Sequence, residues 1–308
     1  MRTAFLFPGQ GSQYVGMGKE LANVFLEAKE VFQEVDDVLN QKLSQLMFAG
    51  DLEELTATQN AQPAIMAVSM ATMRVLTKQS GKPLEKLCNY AAGHSLGEYS
   101  ALCAAGALTL ADTAKLLRIR GDAMLHAGNG AMLALIGATE DNALSIVNDV
   151  AQFGLCQIAN DNGAGQWILS GEVAAIDKAA EIASFHGVRK AVKLNVSSAF
   201  HSELMKSAAS TMQQALSRIT FAKPEVPVIA NVTVEAYEDN FAELLVQQIT
   251  GKVRWRETME FFNSELVTRY VEVGSGKVLA GIAKRSAPEA KVFTSNDPAE
   301  IEQFILGL

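Results

Sequence analysis

The chain has 308 residues, enough for one large domain or two smaller ones, and 49% of them are hydrophobic, which allows a sizeable core. Its 34 acidic residues against 26 basic ones give a net charge of −8, which argues against general nucleic-acid binding, since such binding needs a basic face. No apolar run approaches the roughly 18 residues of a membrane span. The apolar stretch Ala4 to Phe7 ends at Pro8-Gly9, too early for a signal peptide. We therefore expect a cytoplasmic protein that binds neither membrane nor nucleic acid.

The three cysteines, Cys88, Cys103 and Cys156, are widely spaced and lie in apolar surroundings. An odd number of cysteines in such surroundings indicates buried thiols in a reducing compartment rather than a disulfide framework. The four histidines form no cluster with cysteines at metal-ligand spacing. We expect neither a metal nor another cofactor.

The N-terminal part begins with a predicted strand over 3–7, and its apolar spacing predicts a helix over 19–38. Between them lies a loop with two glycines and two amides, which includes Gln10, at the place where α/β sheets form their ligand crevice. Further on, Gln62 precedes Pro63 and a predicted helix over 64–76, since proline suits a first helical turn. Gln62 either caps this helix or faces a pocket, and its spacing favours capping.

A G-x-S-x-G pattern, formed by Gly93, Ser95 and Gly97, dominates the sequence. An apolar run precedes it and a helix-prone stretch follows, which is the strand–turn–helix context of a nucleophile elbow. The glycines allow a tight turn, and the helix start leaves N–H groups free to meet an oxyanion. The alternative is a glycine-rich turn whose serine caps a helix. The context favours a nucleophile.

A capping-box-like start at Thr109 predicts a helix to about Leu125. It carries Lys115, Arg118 and Arg120. Cations in later turns suit the helix dipole on a solvated face, whereas an arginine in a cleft would hold a carboxylate. The spacing does not separate Arg118 from Arg120, and it favours the solvated face for each.

A β-α-β-β-α-β order follows, which is that of a ferredoxin-like unit. The strands are predicted at 131–137, 155–160, 166–170 and 191–196, and the helices at 141–151 and 173–186. We interpret 128–197 as an insertion of about 70 residues into a larger unit formed by 1–127 and 198–308. Strands at 227–232 and 268–273 would complete the sheet of that larger unit.

His201 lies just after the predicted insertion, in a polar segment. A serine nucleophile needs a base from elsewhere in the chain, so His201 is a candidate, although a lone histidine is more often structural. Gly274-Ser275-Gly276-Lys277 is not a P-loop, because Val271 and Val278 stand where the pattern needs Gly and Ser or Thr.

Five motifs, in this order, resemble those of the malonyl-CoA:acyl carrier protein transacylases of bacterial fatty-acid synthesis, particularly alphaproteobacterial members. They are Phe7-Pro8-Gly9-Gln10-Gly11-Ser12-Gln13, Gln62-Pro63-Ala64, Gly93-His94-Ser95-Leu96-Gly97-Glu98, Arg120-Gly121 and Ala199-Phe200-His201-Ser202. The resemblance covers nearly the whole chain. It implies an α/β fold in which an α/β-hydrolase-like large subdomain carries an inserted ferredoxin-like small one.

The resemblance also implies a ping-pong transfer of malonyl from malonyl-CoA to the phosphopantetheine thiol of acyl carrier protein, without a cofactor. The implied roles are Ser95 as nucleophile, His201 as general base and then acid, the Gln248 carbonyl as orienter of His201, the Gln10 and Leu96 N–H groups as oxyanion hole, Arg120 as ligand of the malonyl carboxylate, and Gln62 in the same pocket.

The carrier protein of this pathway is acidic and CoA carries phosphates, so a net-acidic enzyme needs local basic patches. The candidates are Arg189, Lys190 and Lys193 on the inserted unit, with Lys284 and Arg285 on the large one. The alternative for these residues is ordinary solvated surface. We expect the enzyme to be monomeric.

Three other functions compete with the transacylase. A serine hydrolase of this fold has its acid before a histidine close to the C-terminus, but no histidine follows His201 here. A second alternative is an enzyme that delivers malonyl to polyketide carrier domains. A non-catalytic scaffold is the third, and the joint presence of Ser95, His201 and Arg120 argues against it.

Overall fold

The computed structural model describes residues 1–196 and 198–308, so Ser197, the last residue of the predicted insertion, lies outside the described residues. The strands are β1 (Arg2–Phe7), β2 (Tyr90–Gly93), β3 (Ala131–Ile136), β4 (Cys156–Asp161), β5 (Gln166–Gly171), β6 (Lys190–Lys193), β7 (Val228–Ile229), β8 (Val267–Glu272) and β9 (Lys291–Thr294). The helices are α1 (Lys19–Val24), α2 (Leu26–Leu39), α3 (Leu43–Ala49), α4 (Leu52–Thr56), α5 (Thr58–Ser80), α6 (Leu84–Leu87), α7 (Gly97–Ala104), α8 (Leu110–His126), α9 (Glu140–Asp149), α10 (Val173–Ile182), α11 (Lys206–Leu216), α12 (Phe241–Thr250), α13 (Trp255–Ser264), α14 (Val278–Ser286) and α15 (Pro298–Leu306).

Five strands form a parallel sheet in the order β7-β2-β1-β8-β9. Every residue of β1 after Arg2 is buried, as expected for a parallel sheet covered by helices on both faces. One face packs in a large core with α5 and α8, and the other packs against α13 and α14. The protein is therefore a mixed α/β structure, as the sequence predicts.

A second, antiparallel sheet has the order β4-β5-β3-β6. One face holds Leu133 and Leu135 against α9 and α10 in a core of its own. The alternate side chains on β3, Met132 and Ala134, belong to the large core instead. The two sheets therefore share packing through one face of the antiparallel sheet.

The end of β4 also joins the two sheets through polar contacts. Asp161 donates its backbone N–H to the Val253 carbonyl, 3.0 Å away, and its fully buried carboxylate accepts from Arg256 Nε at 2.8 Å. Burial raises the pKa of Asp161, while Arg256 acts in the opposite direction. The ion pair offsets part of the cost of burying this carboxylate between β4 and α13.

The strands and helices of the antiparallel sheet lie within a few residues of their predicted positions, but three predictions elsewhere need correction. The helix predicted over 19–38 is broken at Phe25, whose extended backbone separates α1 from α2. Helix α5 begins at Thr58 rather than after Pro63, so this proline lies inside it. The strand predicted over 227–232 is reduced to the two residues of β7. In addition, strand β9 was not predicted. Within the described residues, no helix is long and apolar enough to cross a bilayer.

Candidate active site

Three neighbouring strands of the parallel sheet end at one edge, and each is followed by a residue of the site. Gln10 lies after β1, Ser95 after β2 and Asn231 after β7. In open α/β sheets, ligands bind at the carboxyl ends of the strands, and this is where the side chains converge.

Ser95 stands on a sharp turn between β2 and α7, with a left-handed φ of 54° that few residues other than glycine adopt. A Cβ on Gly93 would overlap the backbone of Gly97, and one on Gly97 would overlap the Phe7 carbonyl. Both glycines are therefore required by close backbone contacts. The predicted strand–turn–helix context of the G-x-S-x-G pattern is confirmed.

His201 lies against Ser95, with 2.7 Å between His201 Nε2 and Ser95 Oγ. Its Nδ1 lies 2.8 Å from the backbone oxygen of Gln248. A carbonyl oxygen only accepts hydrogen bonds, so Nδ1 carries the ring proton and Nε2 is left to accept from the Ser95 hydroxyl. This tautomer is the one that a general base requires.

The His201 ring is buried, and burial lowers the pKa of His201 to about 3, with the positive charge of Arg120 as a further cause. The imidazole is consequently neutral in the free enzyme near neutral pH.

Arg120 is only 1% exposed, so the favoured interpretation of a solvated face was wrong for this residue. Its Nη1 donates to Gln62 Oε1 at 2.8 Å, and its Nη2 donates to Ser95 Oγ at 3.1 Å and to Gln248 Oε1 at 2.8 Å. The guanidinium carbon lies 5.7 Å from the centre of the Tyr99 ring. The arginine thus reaches the Ser95 hydroxyl from α8.

Close packing of α8 on α5 places Arg120 there. A Cβ on Gly121 would lie 2.5 Å from Gln59 Cα, so only glycine allows the two helices this approach. Arg118 lies on another side of α8, where it is half-buried and donates to Asn60 Oδ1 at 2.9 Å and to Gln41. The ambiguity between the two arginines is resolved in favour of Arg120.

The prediction that Gln62 caps a helix was wrong, because this residue lies within α5. Its side-chain amide donates to Thr58 Oγ1 at 3.0 Å and accepts from Arg120. Gln62 is 1% exposed and is not among the residues that line the cavity. Its hydrogen bond to Arg120 is therefore made on the side of the guanidinium away from the cavity.

The backbone N–H groups near Ser95 are not all available to a ligand. That of Ser95 donates to Asn231 Oδ1 at 2.8 Å, and Asn231 Nδ2 donates to the Gly93 carbonyl at 2.8 Å. Within the described part of the chain, the N–H groups of Gln10 and Leu96 have no protein acceptor. These are the two groups that the resemblance implies for an oxyanion hole.

Ser95, His201 and Arg120 open into a cavity of about 380 Å³ between the two sheets. Its wall is largely apolar, with a few amides. Among its residues are Gln10, Met124, Met132, Asn160, Asn162, Ile168, Leu194, Phe200, Val278, Leu279 and Ile282. A cavity of this kind suits an extended ligand with few polar groups.

Sequence reasoning missed Asn231, Glu98 and the two cavity asparagines, Asn160 and Asn162. The position of Asn231 at the end of a predicted strand was an available signal, since the ends of parallel strands share one edge. Glu98 is the last residue of a recognised motif, but no local pattern indicates that its carboxylate is fully buried.

The candidate docking residues lie on both sides of the cavity. Arg189 and Lys190 are exposed beside and on β6, which leads to cavity residue Leu194, and Lys284 and Arg285 are exposed in the last turn of α14. Lys193 pairs with Asp177, which reduces its availability to a partner.

Comparison with known proteins defines the class. A family model described as an acyl transferase domain matches residues 4–282, most of the chain. The class of protein is thus that of the acyl transferases.

Individual relatives narrow this class. The malonyl CoA-acyl carrier protein transacylase of Bacillus subtilis (strain 168) is 41% identical over 307 residues, covering 98% of this chain and 95% of that protein. The Escherichia coli (strain K12) protein of the same name is 37% identical and covers 96% of each chain. The chain therefore belongs to the family of malonyl CoA-acyl carrier protein transacylases, which are enzymes.

Solved structures agree with this assignment. The crystal structure of acyl-carrier-protein-S-malonyltransferase from Bartonella henselae has a TM-score of 0.96 and 52% identity, with 100% coverage of both chains. A malonyl-transacylase in complex with a holo type II PKS acyl-carrier protein has a TM-score of 0.96 and 36% identity, again with 100% coverage of both.

We expect the His201 imidazole to stay neutral from about pH 8 to about pH 5, because its folded pKa of about 3 lies below the ordinary value of about 6.5. Between the folded pKa and the ordinary pKa, the unfolded chain binds a proton at His201 that the folded chain does not bind. The free energy of unfolding therefore falls as the pH falls through this range. Side-chain NMR titration, assigned with a His201→Gln variant and referenced to the denatured protein, measures the pKa. A folded-state His201 signal that titrates near pH 6.5 would contradict this expectation.

Proposed function

We propose that this enzyme transfers the malonyl group from malonyl-CoA to the phosphopantetheine thiol of an acyl carrier protein, through a covalent ester on Ser95, in type II fatty-acid synthesis. The observation that carries the proposal is the buried guanidinium of Arg120, 3.1 Å from the Ser95 hydroxyl. A carboxylate-binding group beside an activated nucleophile suits an acyl group that carries its own carboxylate.

In the first half-reaction, His201 Nε2 takes the Ser95 proton while Oγ attacks the thioester carbonyl carbon. The N–H groups of Gln10 and Leu96 stabilise the oxyanion of the tetrahedral intermediate. The carbon–sulfur bond then breaks, and the CoA sulfur takes the proton from His201. The product is malonyl-Ser95 and free CoA.

The second half-reaction reverses these steps with a different thiol. The carrier thiol gives its proton to His201 and attacks the ester carbonyl. The carbon–oxygen bond to Ser95 breaks, and Oγ recovers the proton from the imidazolium. Because a thioester is exchanged for a thioester, the transfer needs no further energy source.

Arg120 has two effects on malonyl transfer. It binds the malonyl carboxylate, and that carboxylate neutralises one of the causes that lower the pKa of His201. A malonyl group therefore strengthens the base that its own transfer uses. An acetyl group leaves the guanidinium unpaired and the base weak.

The fold supports a finer description, which is also a proposal. The parallel sheet and its helices would form an α/β-hydrolase-like large subdomain from residues 1–127 and 198–308. The β-α-β-β-α-β order and the strand order β4-β5-β3-β6 support a ferredoxin-like inserted subdomain over 128–197.

We infer further that the enzyme acts as a monomer in the cytoplasm, where its three free cysteines suit a reducing compartment. Light scattering after gel filtration tests the monomer, and a dimer mass would refute it.

One solved relative is in complex with a polyketide carrier, so transfer to such a carrier is the second candidate function. Rates with purified fatty-acid and polyketide carriers separate the two.

Intact-protein mass spectrometry after brief mixing with malonyl-CoA tests the covalent transfer. We expect one malonyl adduct on the wild type, none on Ser95→Ala, and loss of the adduct when holo carrier protein is added. Steady release of free malonate without an adduct would instead indicate a hydrolase.

Arg120→Met should lower kcat/KM for acylation by malonyl-CoA about 10- to 100-fold, since charge-assisted hydrogen bonds to the carboxylate are lost. Acylation by acetyl-CoA should change far less. Arg118→Met is the matched control, because Arg118 bonds to Gln41 and Asn60 outside the cavity, and it should keep the malonyl preference. An unchanged preference in Arg120→Met would exclude the assigned role of Arg120.

Charge reversal at Lys190 and Arg285 together should raise KM for the carrier protein by roughly tenfold and weaken its salt dependence. Malonyl adduct formation should not change. Lys86→Glu is the control, because this exposed lysine precedes β2 and so lies at the opposite end of the strand from Ser95. An equal KM in the double variant and the control would refute this docking face.

A further inference from the structure

Glu98 is a fully buried carboxylate one turn after Ser95, and the reaction above does not use it. Its Oε1 accepts from the Tyr237 hydroxyl and, at 3.3 Å, from the Asn231 backbone N–H, and its Oε2 accepts from Gln248 Nε2 at 2.6 Å. Burial raises the pKa of Glu98 to about 7, and the hydrogen bonds from Tyr237 and Gln248 act in the opposite direction. A carboxylate surrounded by donors is an acceptor at both oxygens.

A chain of hydrogen bonds leads from Glu98 through Gln248 and Arg120 to Ser95, and Arg120 donates to both of its neighbours in this chain. Gln248 Nε2 faces Glu98, and so Gln248 Oε1 faces Arg120 Nη2 at 2.8 Å. Arg120 Nη2 donates in turn to Ser95 Oγ at 3.1 Å. If the Gln248 amide were turned over, its NH2 group would meet the N–H groups of Arg120, and the arginine would lose this acceptor.

The same glutamine supports the rest of the site. Its Nε2 also donates to the Ser95 carbonyl at 2.8 Å, and its backbone oxygen holds His201 Nδ1. Glu98 therefore contacts the one residue that joins Ser95, His201 and Arg120.

We propose that Glu98 is a positioning residue: as a group that only accepts hydrogen bonds, it fixes the orientation of the Gln248 amide, and through that amide it holds Arg120 in place for the acyl carboxylate. This inference rests on the proposed malonyl transfer. It makes Glu98 a determinant of acyl-group selectivity although it does not reach the cavity.

Glu98→Gln tests the proposal, because it keeps the shape of the side chain and replaces one acceptor by a donor. The Asn231 backbone N–H cannot be turned and keeps the oxygen of the new amide, so the new NH2 group faces the Gln248 amide and turns that amide over. We expect the malonyl-to-acetyl ratio of kcat/KM for Ser95 acylation to fall at least tenfold. An unchanged ratio would overturn the proposal, even if both rates fell, because a merely structural role affects both substrates alike.

Two control variants separate selectivity from folding. Asp36→Asn removes another buried carboxylate, which accepts from the Ser44 N–H and hydroxyl away from the site. It should lower the melting temperature and keep the wild-type ratio. Tyr237→Phe removes one donor to Glu98 but leaves its acceptor role toward Gln248, so the ratio should also be kept.

Gln248→Met keeps the proposal falsifiable if Glu98→Gln does not fold. It removes the amide but retains the backbone oxygen that holds His201, and it should lower the ratio as Glu98→Gln does. Adding Glu98→Gln to it should lower the ratio no further, since Glu98 acts through that amide. Additive effects, or an unchanged ratio in Gln248→Met, would overturn the proposal. A wild type that does not prefer malonyl would refute the proposed function itself, whereas a selective wild type with an equally selective Glu98→Gln refutes only the role of Glu98.

Discussion

The site depends on one costly feature, a guanidinium buried without a carboxylate in direct contact among the described residues. Burying a charge is unfavourable unless polar groups replace its water, and here two glutamines and the Tyr99 ring do so for Arg120. The amides offset part of the cost, and the charge of Glu98 acts on Arg120 only from beyond Gln248, so the guanidinium makes no direct ion pair. This keeps the pocket positive, so that a ligand carboxylate gains more there than it would beside an existing ion pair.

Gln248 connects this charge to Ser95 and His201. Its backbone oxygen selects the tautomer of His201, and its side chain contacts both Arg120 and the turn at Ser95. One residue of α12 therefore aligns groups from β2, α8 and the segment after β6. Because the side chain serves both Arg120 and the turn at Ser95, an error in the orientation of the amide affects these two residues together, whereas the backbone oxygen keeps its contact with His201.

Much of the fold was predictable from local patterns. The glycine pattern around Ser95 predicted the strand–turn–helix because backbone contacts there exclude any side chain. The strands of the antiparallel sheet were predictable because apolar residues recur along them in short runs bounded by turns. The spacing alone did not identify the buried arginine, since Arg118 and Arg120 differ only in which side of α8 meets α5, and it was the family resemblance that implied Arg120. Gln62 was misjudged because a proline can be accommodated within a helix that tertiary packing stabilises. Asn231 and Glu98 were missed because long-range contacts decide their roles.

The packing shared between the two sheets limits how the enzyme can move. Met132 and Ala134 on β3 lie in the large core, and the Asp161–Arg256 pair ties β4 to α13. A rotation of the antiparallel sheet away from the parallel sheet would expose apolar surface on both sheets. It would also leave the buried Asp161 carboxylate without Arg256. Wide hinge opening is therefore unfavourable. The two sheets should then unfold in one cooperative transition. Selection among acyl groups would depend on the shape of the cavity rather than on closure of the two sheets around the ligand.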